Sequence, residues 1–156
     1  MDKLFEYLKE NNMTISTAES CTGGMIASAI TNVSGASGFF GTGVVTYANE
    51  AKMKLVGVKK ETLEKYGAVS EQTAMEMAEG VLELGNADVS VSVTGIAGPT
   101  GGTPDKPVGL VYIGVSGKHG TYAYKNNFTG NRDKVRMQTV ERAFEVVYDY
   151  LTKFHC

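Results

Sequence analysis

The hydrophobic residues of the chain recur at helical spacing in several segments, and these segments alternate with runs that favour β-strands. Leu4, Phe5 and Leu8 predict a short first helix that faces inward. Apolar positions three and four residues apart predict further helices over residues 25–33, 50–56, 60–65, 70–84 and 131–154. Asn49 and Ser70 are expected to cap the helices that follow them.

Runs of β-branched or small apolar residues predict five strands between these helices. They cover residues 13–17, 43–47, 87–93, 109–116 and 121–128. The run over 87–93 is continuously apolar or small, which is typical of a strand buried on both sides. The last two strands are separated only by the turn over 117–120, so they predict a hairpin. We expect one α/β domain over residues 1–156, with helices on both faces of a mixed sheet.

Composition and charge argue against several classes of protein. The formal net charge of −2 over 156 residues argues against broad nucleic-acid binding and against a basic membrane-binding face. No apolar run approaches the ~20 residues that a transmembrane helix needs, and the charged N-terminus is unlike a signal peptide. Cys21 and Cys156 are the only cysteines, which argues against a disulfide framework. We therefore expect a cytoplasmic protein that binds neither nucleic acid nor a membrane.

The stretch T-A-E-S-C-T-G-G at residues 17–24 places two potential nucleophiles, Ser20 and Cys21, between a strand and a helix. A tight turn into a helix exposes backbone N–H groups, and the helix dipole favours negative charge there. Gly23 and Gly24 would let an oxyanion or a phosphate approach this backbone. The local sequence alone favours a simpler interpretation, in which the turn residues only cap the helix and Cys21 belongs to the core.

A second junction of this kind, V-T-Y-A-N-E-A-K at residues 45–52, places Tyr47 at a strand end and Lys52 in the first turn of a helix. A helix N-terminus and burial both disfavour the ammonium ion and lower a lysine pKa from its usual ~10.4. A neutral lysine can then act as the base of a Ser–Lys pair. A lysine on a short surface helix is more usually a solvated charge, and this interpretation stays open.

Two further segments favour ligand binding. The glycine-rich loop over 95–109 follows the buried strand, and α/β folds bind ligands at the carboxyl ends of central strands. The loop matches neither a P-loop nor a dinucleotide-binding fingerprint, and it is also consistent with a packing loop. Arg132 and Arg136 offer guanidinium groups for a phosphate or for surface ion pairs. His119 and His155 have no metal-ligand spacing, so no metal site is expected.

Together these segments resemble the CinA C-terminal domain family, which includes stand-alone nicotinamide-nucleotide amidases and competence/damage-inducible proteins. The resemblance covers nearly the whole chain. Besides the two motifs above, it rests on L-V-G-V at 55–58, G-A-V-S-E at 67–71 and G-I-A-G-P-T-G-G-T-P-D-K-P-V-G at 95–109. The chain departs from the family at Ala48, where serine is usual, and at Thr129 and Asn131, where proline and aspartate are common.

The resemblance implies a three-layer α/β/α fold with a mixed β-sheet. It also implies the hydrolysis of nicotinamide mononucleotide to nicotinate mononucleotide and ammonia, a step of pyridine-nucleotide recycling that needs no metal and no cofactor. A homo-oligomer is implied as well, with a dimer favoured. The N-terminal molybdopterin-binding-like domain that often accompanies this family is not in the sequence, so we expect the free-standing form.

Carried over residue by residue, the resemblance makes Ser20 the nucleophile, Lys52 its base and Tyr47 a residue that orients or tunes Lys52. The N–H groups around Thr22 and Gly23 would hold the oxyanion. The other residues expected to bind the oxyanion or the small-molecule nucleotide are Cys21, Gly24, Thr46, Gly95, Ile96, Ala97, Gly98 and Arg132. Two alternatives remain open: a nucleotide-binding module of the same fold without catalysis, and a hydrolase with Cys21 as its nucleophile.

Overall fold

A computed structural model describes residues 1–153. This part of the chain contains six α-helices: α1 (Asp2–Glu10), α2 (Met25–Thr31), α3 (Asn49–Val56), α4 (Lys60–Tyr66), α5 (Glu71–Gly85) and α6 (Arg132–Lys153). It also contains five strands: β1 (Ile15–Glu19), β2 (Phe40–Val45), β3 (Val89–Gly95), β4 (Leu110–Gly117) and β5 (Gly120–Asn127). The predicted helix end at Phe154, and the statements above on His155 and Cys156, concern residues that lie outside the described ones.

The strands form one sheet in the order β2-β1-β3-β4-β5. β1 is parallel to both β2 and β3, whereas β3 with β4 and β4 with β5 are antiparallel pairs. The last pair closes with Gly117 opposite Gly120, which confirms the predicted hairpin. The sheet is therefore mixed, as predicted.

Helices cover both faces of this sheet. α5 crosses one face in contact with β1, β3, β4 and β5, and it packs against α3 and α4. On the other face, α6 packs on β3 and β4, and α1 and α2 join the same core. The expected three-layer α/β/α architecture is confirmed.

The face of the sheet under α6 carries large apolar side chains. Val91, Val93 and Ile113 pack there in one buried cluster with Phe5 of α1 and Phe144 of α6. The two phenylalanine rings meet edge to face, with their centroids 5.3 Å apart. Burial of this apolar surface is the main stabilising contribution on this side of the sheet.

The face under α5 carries small hydroxyl residues instead. Ser16, Ser90 and Ser92 donate their hydroxyls to backbone carbonyls of α5 at 2.8, 2.6 and 2.5 Å. A Cβ placed on Gly114 would lie 2.4 Å from the carbonyl oxygen of Ala74. Small residues therefore let α5 lie close against the strands.

Three predicted details are wrong. Asn49 is the first residue of α3 rather than its cap, and no side chain caps that helix. β1 extends beyond the predicted 13–17 to Glu19, because parallel neighbours on both sides bury even this polar residue. β2 begins at Phe40 rather than at residue 43. A Cβ at Gly43 would lie 2.7 Å from Thr17 Oγ1, so close strand packing, not a loop, accounts for that glycine.

The parallel strands β1, β2 and β3 end at the same edge of the sheet. Their ends lie side by side, with Glu19 opposite both Val45 and Val93. The N–H of Ser20 donates to the carbonyl of Val93 at 3.0 Å, and the N–H of Thr46 donates to the carbonyl of Glu19 at 2.8 Å. The segments that follow the three strands are therefore brought together, as expected for a ligand site of an α/β fold.

Candidate active site

A cavity of about 360 Å³ opens at this edge of the sheet. Small-molecule sites span roughly 300–1,000 Å³, so the cavity has the size of a ligand site. The predicted site residues that line it are Ser20, Cys21, Tyr47, Lys52, Gly95, Ile96, Ala97, Gly98 and Arg132. The wall also includes Thr100 and Gly101 of the same loop, and four residues that were not assigned from the sequence: Asn49, Ala68, Val69 and Thr94.

Four of the predicted site residues are not among those that line the cavity. Thr22, Gly23 and Gly24 form the turn that follows Ser20. Thr46 is fully buried, and it contributes its backbone carbonyl to the site. In this structure these residues support the groups that face the cavity.

Ser20 and Lys52 form a hydrogen-bonded pair in the cavity wall. Lys52 Nζ lies 3.0 Å from Ser20 Oγ, and it donates to the backbone carbonyls of Thr46 at 2.6 Å and Tyr47 at 3.4 Å. Lys52 is only 1% exposed. Among residues 1–153 no carboxylate forms an ion pair with it. The ammonium group is therefore buried among neutral acceptors.

Burial lowers the pKa of Lys52 below its ordinary value of 10.5, and the charge of the neighbouring Cys21 acts in the opposite direction. A lower pKa increases the fraction of neutral lysine at a given pH. A neutral amine has a lone pair for the proton of Ser20, while its N–H bonds can still donate to the carbonyls of Thr46 and Tyr47. The pair has the geometry of a serine nucleophile with a lysine base.

Tyr47 contacts Lys52 through its backbone. The hydrogen bonds of Lys52 within the described residues do not include the phenol of Tyr47. The Tyr47 side chain is 65% exposed and lines the cavity. Its ring is therefore available to a ligand, whereas its carbonyl helps to hold the lysine.

Residues 20–24 form a tight turn between β1 and α2. The carbonyl of Ser20 accepts from the N–H of Gly23 at 3.1 Å, and the carbonyl of Thr22 accepts from the N–H of Met25 at 3.1 Å. Gly23 and Gly24 have φ angles of +56° and +105°, which other residues rarely adopt. Glycine at these positions permits the backbone path that presents Ser20 to the cavity.

The N-terminus of α2 is occupied by a buried carboxylate that the sequence analysis did not assign. Glu19 is 1% exposed, and it accepts from Thr22 Oγ1 at 2.6 Å and from the N–H groups of Ile26 and Ala27 at 2.8 and 3.1 Å. These N–H groups have no partner within the helix, and the helix dipole favours a negative charge there. The predicted anion site at this helix is thus filled by the protein's own glutamate.

Cys21 is a protonated thiol in this environment. It is 5% exposed, and burial raises its pKa to about 11, although the charges of Arg136 and Lys52 act to lower it. A thiol with this pKa carries little thiolate at neutral pH. His119 lies in the β4–β5 turn and does not line the cavity, so it offers no base to Cys21. The alternative of a cysteine nucleophile is disfavoured.

Two arginines on α6 reach the site in different ways. Arg132 lines the cavity and donates from Nη1 to the carbonyl of Gly98 at 2.9 Å. Arg136 does not line the cavity, and its guanidinium donates to the carbonyls of Cys21 at 3.0 Å and Thr22 at 3.2 Å. Arg132 therefore has N–H groups left for a ligand.

The charges in the cavity wall are all positive. Lys52 and Arg132 are its charged residues, and its lining contains no aspartate and no glutamate. Such a wall favours an anionic ligand. Residues 1–153 contain no cluster of three His, Cys, Asp or Glu side chains that could hold a metal ion. No helix within the same residues is long and apolar enough to cross a membrane.

The fold and the site define an α/β protein with a buried Ser–Lys pair at the edge of a mixed sheet. Comparison with known families gives a closer assignment. The profile of the CinA C-terminal domain matches residues 1–151, and the chain belongs to this family.

Individual relatives agree with this assignment. The chain is 56% identical over 148 residues to a CinA-like protein of Endomicrobium trichonymphae and 54% identical over 140 residues to one of Kosmotoga olearia. These alignments cover 95% and 90% of the chain but only 35% and 34% of the relatives. The chain thus spans about a third of the length of these curated relatives.

Solved structures show the same fold over almost the whole chain. The competence/damage inducible protein CihA of Agrobacterium tumefaciens is 42% identical, with a TM-score of 0.91 over 94% of this chain and 90% of that one. A CinA superfamily protein of Escherichia coli is 38% identical, with a TM-score of 0.91 over 95% of this chain and 86% of that one. The names of these proteins state no substrate and no reaction.

Proposed function

We propose that the chain is a nicotinamide-nucleotide amidase, which hydrolyses nicotinamide mononucleotide to nicotinate mononucleotide and ammonia. The observation that carries the proposal is the buried Lys52 Nζ at 3.0 Å from Ser20 Oγ, in a cavity without carboxylates. A neutral lysine beside a serine supports acyl transfer, and the guanidinium of Arg132 in a wall without carboxylates suits a nucleotide phosphate. Membership of the CinA C-terminal domain family supports the same assignment.

The first half of the reaction forms an acyl-enzyme. Ser20 Oγ attacks the carboxamide carbon while neutral Lys52 takes the hydroxyl proton. The carbon–nitrogen bond of the tetrahedral intermediate then breaks, and Lys52 returns the proton to the departing ammonia. The second half uses water in place of the hydroxyl: Lys52 takes a proton from water as the water oxygen attacks the acyl carbon. The ester bond to Ser20 Oγ then breaks, Ser20 receives that proton, and nicotinate mononucleotide is released.

The oxyanion of the intermediate needs backbone donors near Ser20. The N–H of Gly23, one predicted donor, is engaged by the carbonyl of Ser20. The N–H of Thr22 donates to no carbonyl and no side chain of residues 1–153. We therefore assign the oxyanion to the N–H groups that directly follow Ser20, those of Cys21 and Thr22.

The phosphate of the nucleotide is assigned to Arg132 and the adjacent glycine-rich loop. One N–H of Arg132 holds the carbonyl of Gly98, and the others are left for a bidentate contact with phosphate oxygens. Gly95, Ile96, Ala97, Gly98, Thr100 and Gly101 of this loop also line the cavity. On this assignment the nucleoside without phosphate is a poor substrate.

The proposal is tested by incubating the purified protein with nicotinamide mononucleotide and measuring ammonia and nicotinate mononucleotide together. We expect both products in equal amounts from the parent, and a loss of turnover by Ser20→Ala of about 10⁴-fold or more. Ser20→Ala should still bind the nucleotide by calorimetry, because only the covalent step needs the hydroxyl. Nicotinamide riboside serves as the substrate that lacks phosphate.

Three outcomes would contradict the proposal or one of its parts. Binding of the nucleotide without ammonia release would identify a non-catalytic nucleotide-binding module of the same fold. Ammonia release by Ser20→Ala at the parent rate would leave an amidase but remove Ser20 as its nucleophile. Equal efficiency on riboside and mononucleotide would remove only the phosphate contact assigned to Arg132.

A further inference from the structure

Arg136 is the residue of α6 that touches the turn following Ser20. Its Nε donates to the carbonyl of Cys21 at 3.0 Å and its Nη2 donates to the carbonyl of Thr22 at 3.2 Å. The guanidinium is a rigid planar fork, so two bonds to consecutive carbonyls fix the orientation of both peptide groups. No carboxylate among residues 1–153 forms an ion pair with Arg136.

The peptide groups that Arg136 holds are those next to the nucleophile. A trans peptide is planar, and its N–H points away from its C=O. Holding the carbonyl of Cys21 toward α6 therefore directs the N–H of Thr22 away from α6. The turn also contains Gly23 and Gly24, whose backbones are the least restricted of any residue type. The guanidinium supplies the restraint that this glycine-rich turn lacks.

The packing of the Arg136 guanidinium is consistent with its restraining the turn. A Cβ placed on Gly23 would lie 3.5 Å from Arg136 Nη2, so the guanidinium packs directly against the turn. On its other side the turn is held by Glu19, which accepts from Thr22 Oγ1 at 2.6 Å. The segment from Ser20 to Gly24 is thereby fixed between a carboxylate and a guanidinium.

The same helix holds the opposite wall of the cavity. Arg132 precedes Arg136 by four residues, so the two side chains lie on one face of α6. Arg132 donates to the carbonyl of Gly98 in the substrate loop at 2.9 Å. The first two turns of α6 therefore connect the turn over residues 20–24 with the glycine-rich loop over 95–109.

We propose that Arg136 is a positioning residue: it sets the position of Ser20 and of the oxyanion donors by holding the carbonyls of Cys21 and Thr22, and it does not bind substrate. This rests on the amidase function proposed above. Because Arg136 does not line the cavity, its removal should leave substrate affinity in place and impair the chemical step. A displacement of about 1 Å in a reacting group can cost on the order of 10²-fold in rate.

The test compares Arg136→Met, Arg136→Lys and the control Arg142→Met. Arg142 lies on the same helix and pairs with Glu145 on the surface at 3.0 Å. For Arg136→Met we expect kcat to fall about 10²-fold with KM within about threefold of the parent. Arg136→Lys should recover part of the loss, because an ammonium can hold one carbonyl but not both. Arg142→Met should match the parent in both constants.

A second readout does not depend on the substrate. Diisopropyl fluorophosphate phosphorylates activated serines, and intact-mass measurement with peptide mapping gives the rate at which Ser20 is labelled. We expect labelling of Arg136→Met to be slowed about as much as kcat, since both need Ser20 and its oxyanion donors in place. If the parent is labelled at Ser20 but releases no ammonia, the amidase proposal fails while the labelling ratio still tests Arg136.

Four results would overturn the role of Arg136. A raised KM with an unchanged kcat would make it a substrate ligand. Parent-like kcat and labelling in Arg136→Met would show that the turn needs no such restraint. If Arg136→Met does not fold, Arg136→Lys provides the test. Parent-like kcat and KM in Arg136→Lys would show that the two carbonyls need not be held together by a guanidinium. Absence of Ser20 labelling in the parent would contradict both proposals.

Discussion

Glu19 precedes Ser20 in the chain and Lys52 is hydrogen-bonded to it, and these are the two charged side chains that are fully buried within residues 1–153. Glu19 meets three donors, from the Thr22 hydroxyl and from two backbone N–H groups of α2. Lys52 meets the Ser20 hydroxyl and two backbone carbonyls, and no described carboxylate pairs with it. Both charges are equally hidden from water, but their surroundings differ in kind.

The difference in surroundings suits Glu19 to stabilising the fold and Lys52 to transferring a proton. The N–H groups around Glu19 have positive charge that stabilises its carboxylate, and the carboxylate in turn satisfies donors that the helix leaves unpaired. The acceptors around Lys52 hydrogen-bond to the amine in either protonation state, whereas burial penalises only the ammonium. Glu19 therefore joins the turn to α2 through its hydrogen bonds, whereas Lys52 can release and take a proton beside Ser20.

The largest effect is expected when Lys52 keeps its charge but loses its ability to give up a proton. Arg stays protonated throughout the accessible pH range. Lys52→Arg should therefore lose about 10³-fold or more in kcat/KM with nicotinamide mononucleotide, while circular dichroism shows a folded protein. Lys54→Arg, on the exposed side of α3, is the matched control and should keep the parent rate. Turnover by Lys52→Arg within tenfold of the parent would mean that Lys52 acts only as a positive charge.

The pH dependence of the parent is the next largest effect. The active form needs neutral Lys52, and burial lowers the pKa of this group from 10.5. The logarithm of kcat/KM should rise by one unit per pH unit below the lowered pKa and reach a plateau below pH 10.5. A pH–rate profile over the range where the protein stays folded measures this directly. A rate that falls as pH rises through this range would exclude a lysine base.

Removing the charge of Glu19 should affect stability more than chemistry. In Glu19→Gln the amide NH₂ faces a buried donor, and an unsatisfied donor of this kind costs about 1–3 kcal/mol. We expect this loss in the free energy of unfolding by urea titration, with the midpoint of the pH–rate profile unchanged. Glu79→Gln, on the exposed face of α5, is the control. A shifted midpoint in Glu19→Gln would show that the two buried charges are coupled.

Much of the fold could be predicted from the sequence, because its pattern is local. The helix capped by Ser70 is an example: the Ser70 hydroxyl accepts from the N–H of Thr73, as predicted. The wrong predictions concern residues whose structure depends on contacts with segments distant in the sequence. Glu19 lies beyond the predicted strand over 13–17, and its burial becomes favourable only once the N–H groups of α2 are in place. Gly43 is predicted as the first residue of a strand, but only the structure shows its close contact with Thr17 of β1.

Some residues of the candidate site could likewise be predicted from the sequence, and others could not. Ser20, Lys52 and Arg132 carry reactive or charged groups in recognisable motifs, so the sequence was enough to select them. Ala68 and Val69 carry no such group; they line the cavity through a segment whose Ala68 carbonyl accepts from the hydroxyl of Thr94 at 2.8 Å. Residues that act through shape or backbone leave little trace in a single sequence.

A smaller effect is expected when the Lys52 charge is removed altogether. Since the folded state lowers the Lys52 pKa, the unfolded chain binds more protons between that pKa and 10.5, and stability of the parent rises with pH in this window. At pH values below this window, the folded state bears the full free-energy cost of burying the Lys52 ammonium. Lys52→Met should therefore unfold at higher urea concentration than the parent at neutral pH, by on the order of 1 kcal/mol, and the difference should shrink toward pH 10.5. If Lys52→Met is less stable than the parent, the hydrogen bonds of Lys52 contribute more to stability than burial of its charge costs.

The smallest effect is expected at Tyr47, which contacts Lys52 through its backbone carbonyl at 3.4 Å while its side chain is 65% exposed. Tyr47→Phe keeps this carbonyl and the ring, so kcat and the midpoint of the pH–rate profile should stay within about twofold of the parent and 0.3 pH units. Tyr66→Phe, outside the cavity, is the matched control. A tenfold loss of kcat in Tyr47→Phe alone would show that the phenol reaches Lys52 or the substrate during turnover. In that case the surroundings of Lys52 would include a proton donor, and its contrast with Glu19 would be weaker than the structure indicates.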